Sequence, residues 1–198
     1  MKQIRFVGLF VISIGIALAL SQIACENNSR VSKMDVQTNE VRDSSTTNQL
    51  WRIWLALHKA LGDNDRYPKS LSILESTAVD PTIFVSPGTG SKPGVMNAVE
   101  DWADFIYVGG ATEDVPLAAM VISPPENHQG KYGFALCVAG NIFRISAAEV
   151  PELISNPCLF ATNTPQENIR HFNNNISVRI PKHLRPYYGT NDNGTSNK

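Results

Sequence analysis

The chain has 198 residues, of which 42% are hydrophobic and 18% charged, and its formal net charge is -1 at pH 7. Its basic residues are scattered, so the composition excludes the basic footprint of a nucleic-acid-binding protein and a polybasic membrane-binding patch. Polar segments flank the apolar part of the chain, which leaves about 120 to 140 residues to fold, the size of one ordinary domain.

Residues 1–24 carry the pattern of an export signal. Lys2 and Arg5 form a charged start, and an apolar run extends from Phe6 to Leu20. Such a run, followed by small and polar residues, is typical of a cleaved signal peptide. It falls short of the roughly 18 to 20 residues that a helix needs to cross a membrane, so we expect the segment to be removed.

Cys25 directly follows a small residue, Ala24, and this arrangement resembles a bacterial lipoprotein signal. The resemblance implies that the thiol of Cys25 is lipidated, and two or three acyl chains hold a protein stably at a membrane. Gln22 stands where such signals usually have Leu, which leaves cleavage after Ser21 and a secreted protein as the alternative. We predict a lipid-anchored protein of the bacterial cell envelope that faces the periplasm or the exterior.

A polar segment precedes the first predicted helix. Residues 25–46 hold few large apolar side chains, which predicts a flexible tether. Apolar residues then recur at helical spacing: Leu50, Ile53, Trp54, Leu57, Ala60 and Leu61. Thr46 or Thr47 offers an N-cap and Gly62 a stop, so the sequence predicts a helix between Ser44 and Leu61.

Two loops after this helix have the composition of ligand sites without the spacing. Residues 63–68 contain two acids, but an EF-hand would need glycine and a bidentate acid where Pro68 and Leu74 stand. Residues 88–94 are rich in glycine but lack the spacing of a phosphate-binding Walker loop. We therefore predict neither a metal site nor a cofactor.

Short apolar runs bounded by Gly and Pro predict the strands. They are Ile83–Val85, Asp104–Gly110, Leu117–Ile122, a hairpin of Tyr132–Val138 and Asn141–Ser146, and Ile176–Ile180. Ala139-Gly140-Asn141 predicts a two-residue turn in the hairpin, since Gly and Asn accept positive φ. Ser146 and Glu149 have capping-box spacing and predict a short helix behind them.

These elements predict an α+β fold, in which an N-terminal helix packs on a small antiparallel sheet. The strands follow one another through short loops without intervening helices, which favours antiparallel pairing. We place the domain at residues 47–157 and an extension with a disordered tail at residues 158–198.

Two cysteines remain if Cys25 is lipidated. In an oxidising compartment, Cys137 and Cys158 could form a disulfide, which would contribute about 3 kcal/mol by closing the loop between them. The alternative is a buried Cys137 in the central strand and a free Cys158. Both remain open at this point.

Taken in order, four segments resemble pseudopilin-like proteins with a type II secretion system G-like fold, which are exported proteins of planctomycetes and verrucomicrobia. The segments are the helix and turn at 55–71, Phe-Val-Ser-Pro at 84–87, Tyr-Val-Gly-Gly at 107–110, and Pro-Pro-Glu-Asn-His at 124–128 before a glycine-turn hairpin. The resemblance covers residues 48–155 and implies a pseudopilin-like α+β domain.

The chain departs from this family at three places. Ala139-Gly140-Asn141 replaces the usual Asp-Gly-His turn, and Ser86 stands where the family often has Cys. The prepilin peptidase signature is missing around residues 8–13. The resemblance therefore implies that Cys25 takes over the anchoring role from the N-terminal helix.

The best candidate for a polar site is a loop that carries Glu126, His128 and Lys131. General acid–base chemistry would require these side chains to converge in a pocket with a pKa tuned by burial. We expect His128 instead to hydrogen-bond the hairpin or its loop. No recognisable elbow or triad surrounds the possible nucleophiles Ser123, Ser146 and Cys137.

We therefore predict a non-enzymatic interaction domain with an envelope protein as its partner, and identify no small-molecule ligand. The alternative is a periplasmic ligand-binding or hydrolytic module that uses the loop with Glu126, His128 and Lys131. Replacing those three residues by Ala would separate a loss of binding from a loss of folding.

Overall fold

The computed structural model describes residues 45–61 and 65–189. The α-helices of this part are α1 (Ser45–Lys59), α2 (Val99–Trp102), α3 (Glu149–Ser155), α4 (Gln166–Asn173) and α5 (Arg185–Tyr188). The strands are β1 (Ile106–Gly109), β2 (Ala119–Ser123), β3 (Gly133–Cys137), β4 (Ile142–Ile145) and β5 (Ser177–Arg179). The 3-10 helices are Leu71–Thr77, Pro81–Phe84, Met96–Ala98 and Pro125–His128. The predicted signal, Cys25, the tether up to residue 44, Gly62 and residues 190–198 lie outside the described residues.

The strands form a sheet in the order β4-β3-β2-β1-β5, and every neighbouring pair is antiparallel. The predicted α+β class and antiparallel sheet are confirmed. Every residue of β1, β2 and β3 is buried. Burial along a whole strand requires cover on both faces of the sheet, so the core has two layers.

The first face of the sheet packs against α1. Leu50, Ile53 and Leu57 of α1 are fully buried in the same core as Tyr107 of β1 and Leu136 of β3. Helical spacing put these apolar side chains on one face of α1, as predicted. The helix begins at Ser45, with Thr46 and Thr47 buried in its first turn, so the predicted N-cap at either threonine is wrong.

The second face of the sheet is covered by segments that follow the hairpin. Ile106, Ile122 and Ala135 point into a second core that contains Val150 and Leu153 of α3 and Leu184. The predicted helix after Ser146 is α3. The Glu149 carboxylate accepts from the backbone N–H of Ser146 at 2.7 Å and from its hydroxyl at 2.8 Å, which is one half of the predicted capping box.

Residues from the predicted extension also take part in the sheet and its cores. β5 pairs with β1, and Val108 lies opposite Val178. Phe172 of α4 is fully buried in the first core. The segment after residue 157 therefore supplies an edge strand and cover for the apolar strands.

The predicted strand Ile83–Val85 is wrong, because this segment belongs to the 3-10 helix Pro81–Phe84. Asp80 caps the helix: its Oδ1 accepts from the backbone N–H of Thr82 at 3.0 Å. Proline in the first turn is preorganised for a helical start, since its φ is already fixed. Ile83 and Phe84 are buried all the same, so the apolar pattern indicated burial and not a strand.

The hairpin turn between β3 and β4 is one residue longer than predicted. Cys137 donates its backbone N–H to Asn141 O at 2.7 Å and accepts from Gly140 N at 2.9 Å, so Val138–Gly140 form a three-residue loop. Gly140 has φ +83°, while Asn141 does not adopt a positive φ. A glycine in this conformation closes a three-residue hairpin loop through a bulge.

The disulfide considered between Cys137 and Cys158 is not formed: both cysteines are free and buried. Each thiol has its own neighbour, since Cys137 Sγ lies 3.3 Å from Leu117 O and Cys158 Sγ lies 3.7 Å from Asn173 Oδ1. Burial raises the pKa of the Cys158 thiol to about 11 and that of Cys137 further. Both thiols therefore stay protonated and unreactive near neutral pH.

Candidate functional site

The loop between β2 and β3 is held in one conformation by its own backbone. Pro125 opens the 3-10 helix Pro125–His128, and Gln129 follows in the left-handed region with φ +60°. Gly130 N donates to Pro125 O at 2.8 Å, which closes the loop. His128 therefore emerges from a fixed backbone beside the start of β3.

The structure separates Glu126 from the other two predicted loop residues. The Glu126 carboxylate accepts a hydrogen bond from Tyr188 Oη of α5 at 2.7 Å. Burial, followed by this contact with Glu126, raises the pKa of Tyr188 above its ordinary range. Glu126 thus fixes the C-terminal helix, while His128 and Lys131 line a groove.

His128 belongs to a chain of buried hydrogen bonds. Its Nε2 lies 3.0 Å from Ser123 Oγ, and Asn127 Nδ2 donates to the same Oγ at 3.1 Å. Asn127 Nδ2 also donates to the backbone O of Asp104 at 2.7 Å, which fixes the amide with its nitrogen toward Ser123. The predicted partner of His128, the hairpin or its loop, is wrong. Its side chain bonds Ser123 instead, which is the last residue of β2.

These hydrogen bonds assign the tautomer of His128. The Ser123 oxygen accepts from Asn127, and among the described residues the one acceptor within reach of its proton is Nε2 of His128, which assigns the hydroxyl as the donor. The imidazole proton is then on Nδ1. Burial lowers the pKa of His128, which also favours the neutral ring. No residue in the described part of the chain bonds to Nδ1, and His128 is one of the residues that line a groove.

Aromatic side chains hold the imidazole in place. The ring of His128 stacks on Tyr132 with centroids 5.1 Å apart, and Phe134 meets its edge at 5.0 Å. The guanidinium carbon of Arg144 lies 3.9 Å from the Tyr132 ring centroid, a cation–π distance. The packing fixes the direction in which the ring nitrogens point.

The groove beside His128, here called the His128 groove, has a volume of about 420 Å³. Its walls are the first turn of α1 (45–46), the loop segments 87–88 and 127–129, Lys131, and the aromatic residues Tyr132 and Phe134. The volume lies within the range of roughly 300 to 1,000 Å³ that is usual for ligand pockets. Among the described lining residues, Lys131 carries the only full charge and none is acidic.

Ser123 and His128 have the separation of a nucleophile and its base, but they are not arranged for attack. The hydrogen bond to Nε2 is the one an activated serine makes, but Ser123 is 0% exposed. A nucleophilic serine must reach the carbonyl carbon of a substrate. In this structure the pair therefore orients the ring of His128.

A buried carboxylate that the sequence analysis missed supports one wall of the groove. Asp104 is 0% exposed and accepts from Ser86 N at 2.8 Å, Thr89 Oγ1 at 2.6 Å and Ser91 Oγ at 2.8 Å. His183 Nε2 lies 3.4 Å from its Oδ1. Asp104 therefore fixes the loop that carries the wall segment 87–88. The sequence pattern that could have revealed Asp104 is an acid directly before an apolar strand, with a loop rich in Ser and Thr earlier in the chain.

Two further findings concern the described ranges only. No group of three or more His, Cys, Asp or Glu side chains there could hold a metal ion. None of the helices there is long and apolar enough to cross a membrane. The predicted lipidation site, Cys25, lies outside these ranges.

Comparison with known proteins does not place the chain in a family. No family model matches it, and neither the curated proteins nor the solved structures give a significant match. The resemblance to pseudopilin-like proteins therefore rests on the sequence segments alone, and the function has to be argued from the residues of this chain.

Proposed function

We propose that the protein is exported, anchored by lipid at Cys25, and that its α+β domain is a non-enzymatic interaction module of the bacterial cell envelope. The observation that carries the proposal is Cys25 directly after Ala24, at the end of an apolar run with a charged start. The polar residues up to the start of α1 would then set the domain away from the membrane surface.

The geometry of the polar residues supports recognition over catalysis. Ser123 is closed off behind His128, and Glu126 is engaged by Tyr188. Among the polar residues that line the groove, His128 and Lys131 can donate hydrogen bonds to a bound group. Among the alternatives, the groove favours ligand binding over hydrolysis.

A pseudopilin-like origin of the domain is part of the same proposal. Assembly of a pilus through the N-terminal helix needs a long apolar segment that stays in the mature chain. Cleavage before Cys25 removes the apolar run of residues 6–20. The domain would then be presented singly on a lipid anchor, without polymerising through that helix.

The intact mass of the mature protein from its native membrane fraction tests the anchor. We expect a species that begins at Cys25 and is heavier by a diacylglycerol, with or without a further acyl chain. Cys25→Ser should move the protein into the soluble fraction. Cys158→Ala is the matched control, since it removes a buried thiol and should leave the protein membrane-bound. A soluble species that begins at Gln22 would contradict the proposal.

A further inference from the structure

Two polar residues of the His128 groove are suited to an anion. Lys131 brings a full positive charge, and Nδ1 of the neutral His128 brings an N–H donor. No acidic side chain is among the described lining residues. A site with this charge pattern attracts a negatively charged ligand group.

The donor state of His128 is built into the fold. Asn127 is 5% exposed, and it links the backbone of Asp104 to the hydroxyl of Ser123. The hydroxyl in turn occupies Nε2, so the ring can offer only a proton, and not a lone pair, at Nδ1. Buried second-layer hydrogen bonds of this kind preorganise a binding group.

Part of the groove wall is apolar, while Ser45, Thr46 and Gln129 contribute polar side chains. Tyr132 and Phe134 meet edge to face with centroids 5.4 Å apart, and Pro87 also lines the groove. A volume of about 420 Å³ is larger than one anionic group needs, so the groove has room for a ligand body that packs on the aromatic part of the wall. Stacking on aromatic walls suits a flat or hydrocarbon body.

The balance of charge distinguishes between the common anions. One ammonium and one neutral N–H donor match the single negative charge and two oxygens of a carboxylate. A phosphoryl group carries close to two charges and is usually met by Arg clusters or by several backbone N–H groups of a glycine-rich loop. No Arg is among the described lining residues, and Gly88 is the one glycine among them.

We propose that the His128 groove binds a carboxylate attached to an apolar or aromatic body, with Lys131 and Nδ1 of His128 as the two donors. The assignment does not depend on lipidation of Cys25. A protein that lacks the anchor but binds the carboxylate, or the reverse, would separate the two proposals.

The test uses fluorine NMR of fluorophenylpropionate added to the full-length chain in the form in which it is isolated. We expect saturable broadening of the fluorine signal, and binding about tenfold weaker or worse for the neutral fluorophenylpropanamide. Fluorophenyl phosphate is the second comparison. Tighter binding of the phosphate than of the propionate would overturn the assignment of a carboxylate, as would equal binding of acid and amide.

Two lysine variants locate the site. Lys131→Met removes the charge and keeps the length of the side chain, and should weaken fluorophenylpropionate about tenfold. Lys59→Met is the matched control, because Lys59 is exposed at the last residue of α1 and the groove lies at the first turn. Equal effects of the two substitutions, or none from either, would overturn the proposal.

Discussion

The two ends of β3 are built for different purposes. After the C-terminal end of β3, the turn Val138–Gly140 packs on α1. Trp54 Nε1 donates to Val138 O at 2.8 Å, and the ring of Trp51 meets that of Trp54 edge to face with centroids 5.0 Å apart. We call this region the turn end. We call the N-terminal end of β3 the groove end. It contains His128 and the His128 groove, whose wall includes the first turn of α1.

The difference lies in what each end leaves unpaired. At the turn end the indole N–H has an acceptor and aromatic rings fill the space against the backbone. At the groove end about 420 Å³ remains open, and Nδ1 of His128 has no partner among the described residues. A donor kept unpaired beside an open groove is typical of a binding site, whereas filled and paired contacts are typical of structural support.

The largest expected effect comes from opening the turn end. Trp54→Ala removes the hydrogen bond to Val138 and the ring contact with Trp51, and should lower the free energy of unfolding by about 3 kcal/mol. Urea denaturation measures this change. Leu55→Ala is the control on the same helix, because that side chain is 50% exposed and should cost less than about 1 kcal/mol. Equal losses of stability in the two variants would show that the turn end contributes no more than ordinary surface.

A smaller effect separates backbone strain from packing. Gly140 and Gly130 have φ +83° and +75°, so alanine strains the backbone at both, by about 1 to 2 kcal/mol. A Cβ at Gly140 would also lie 3.2 Å from Trp51 and 3.3 Å from Trp54, whereas a Cβ at Gly130 meets nothing within 4 Å. Thermal unfolding should therefore show a larger loss for Gly140→Ala than for Gly130→Ala. The opposite order would place the tighter packing at the groove end.

The smallest effect concerns the pH response of the groove end. Burial lowers the pKa of His128 below 6.5, so below pH 6.5 the unfolded chain binds the proton more readily than the folded one. This contribution to stability is complete above pH 6.5 and is lost as the pH falls through the folded pKa. Urea denaturation at a series of pH values should show this fall in the free energy of unfolding.

Two variants check the assignment of this pH response. His128→Asn should flatten that part of the profile. Ser123→Ala removes the hydroxyl that donates to Nε2, so NMR titration of His128 should show a raised pKa. An unchanged pKa would mean that the hydroxyl does not hold the neutral tautomer.

Local pattern was enough for most elements of the fold. The apolar spacing from Leu50 to Leu57 reflects one face of α1, and the runs around β1, β2, β3 and β4 mark strands that are buried. The failure at Ile83 shows the limit of this reading. A short apolar run indicates burial, but Asp80 and Pro81 before it decide for a 3-10 helix.

The site was less accessible to sequence reasoning. The predicted loop contained His128 and Lys131, but Glu126 was grouped with them because it lies two residues away in the chain. Its real partner is Tyr188, which is 62 residues away. Asp104 was missed for the same reason, since the groups that contact its carboxylate come from two distant segments, the loop 86–91 and the segment with His183.

The amino-acid sequence by itself determined the apolar faces of the elements, the signal pattern ending at Cys25, and the loop that carries His128. These depend on neighbours a few residues apart, where spacing in the chain sets spacing in space. Only the tertiary structure decided which polar groups are paired. Ser123, which accepts from Asn127, occupies Nε2 of His128 because the sheet and its loops bring the three residues together in the interior, where most buried hydrogen-bonding groups have a partner.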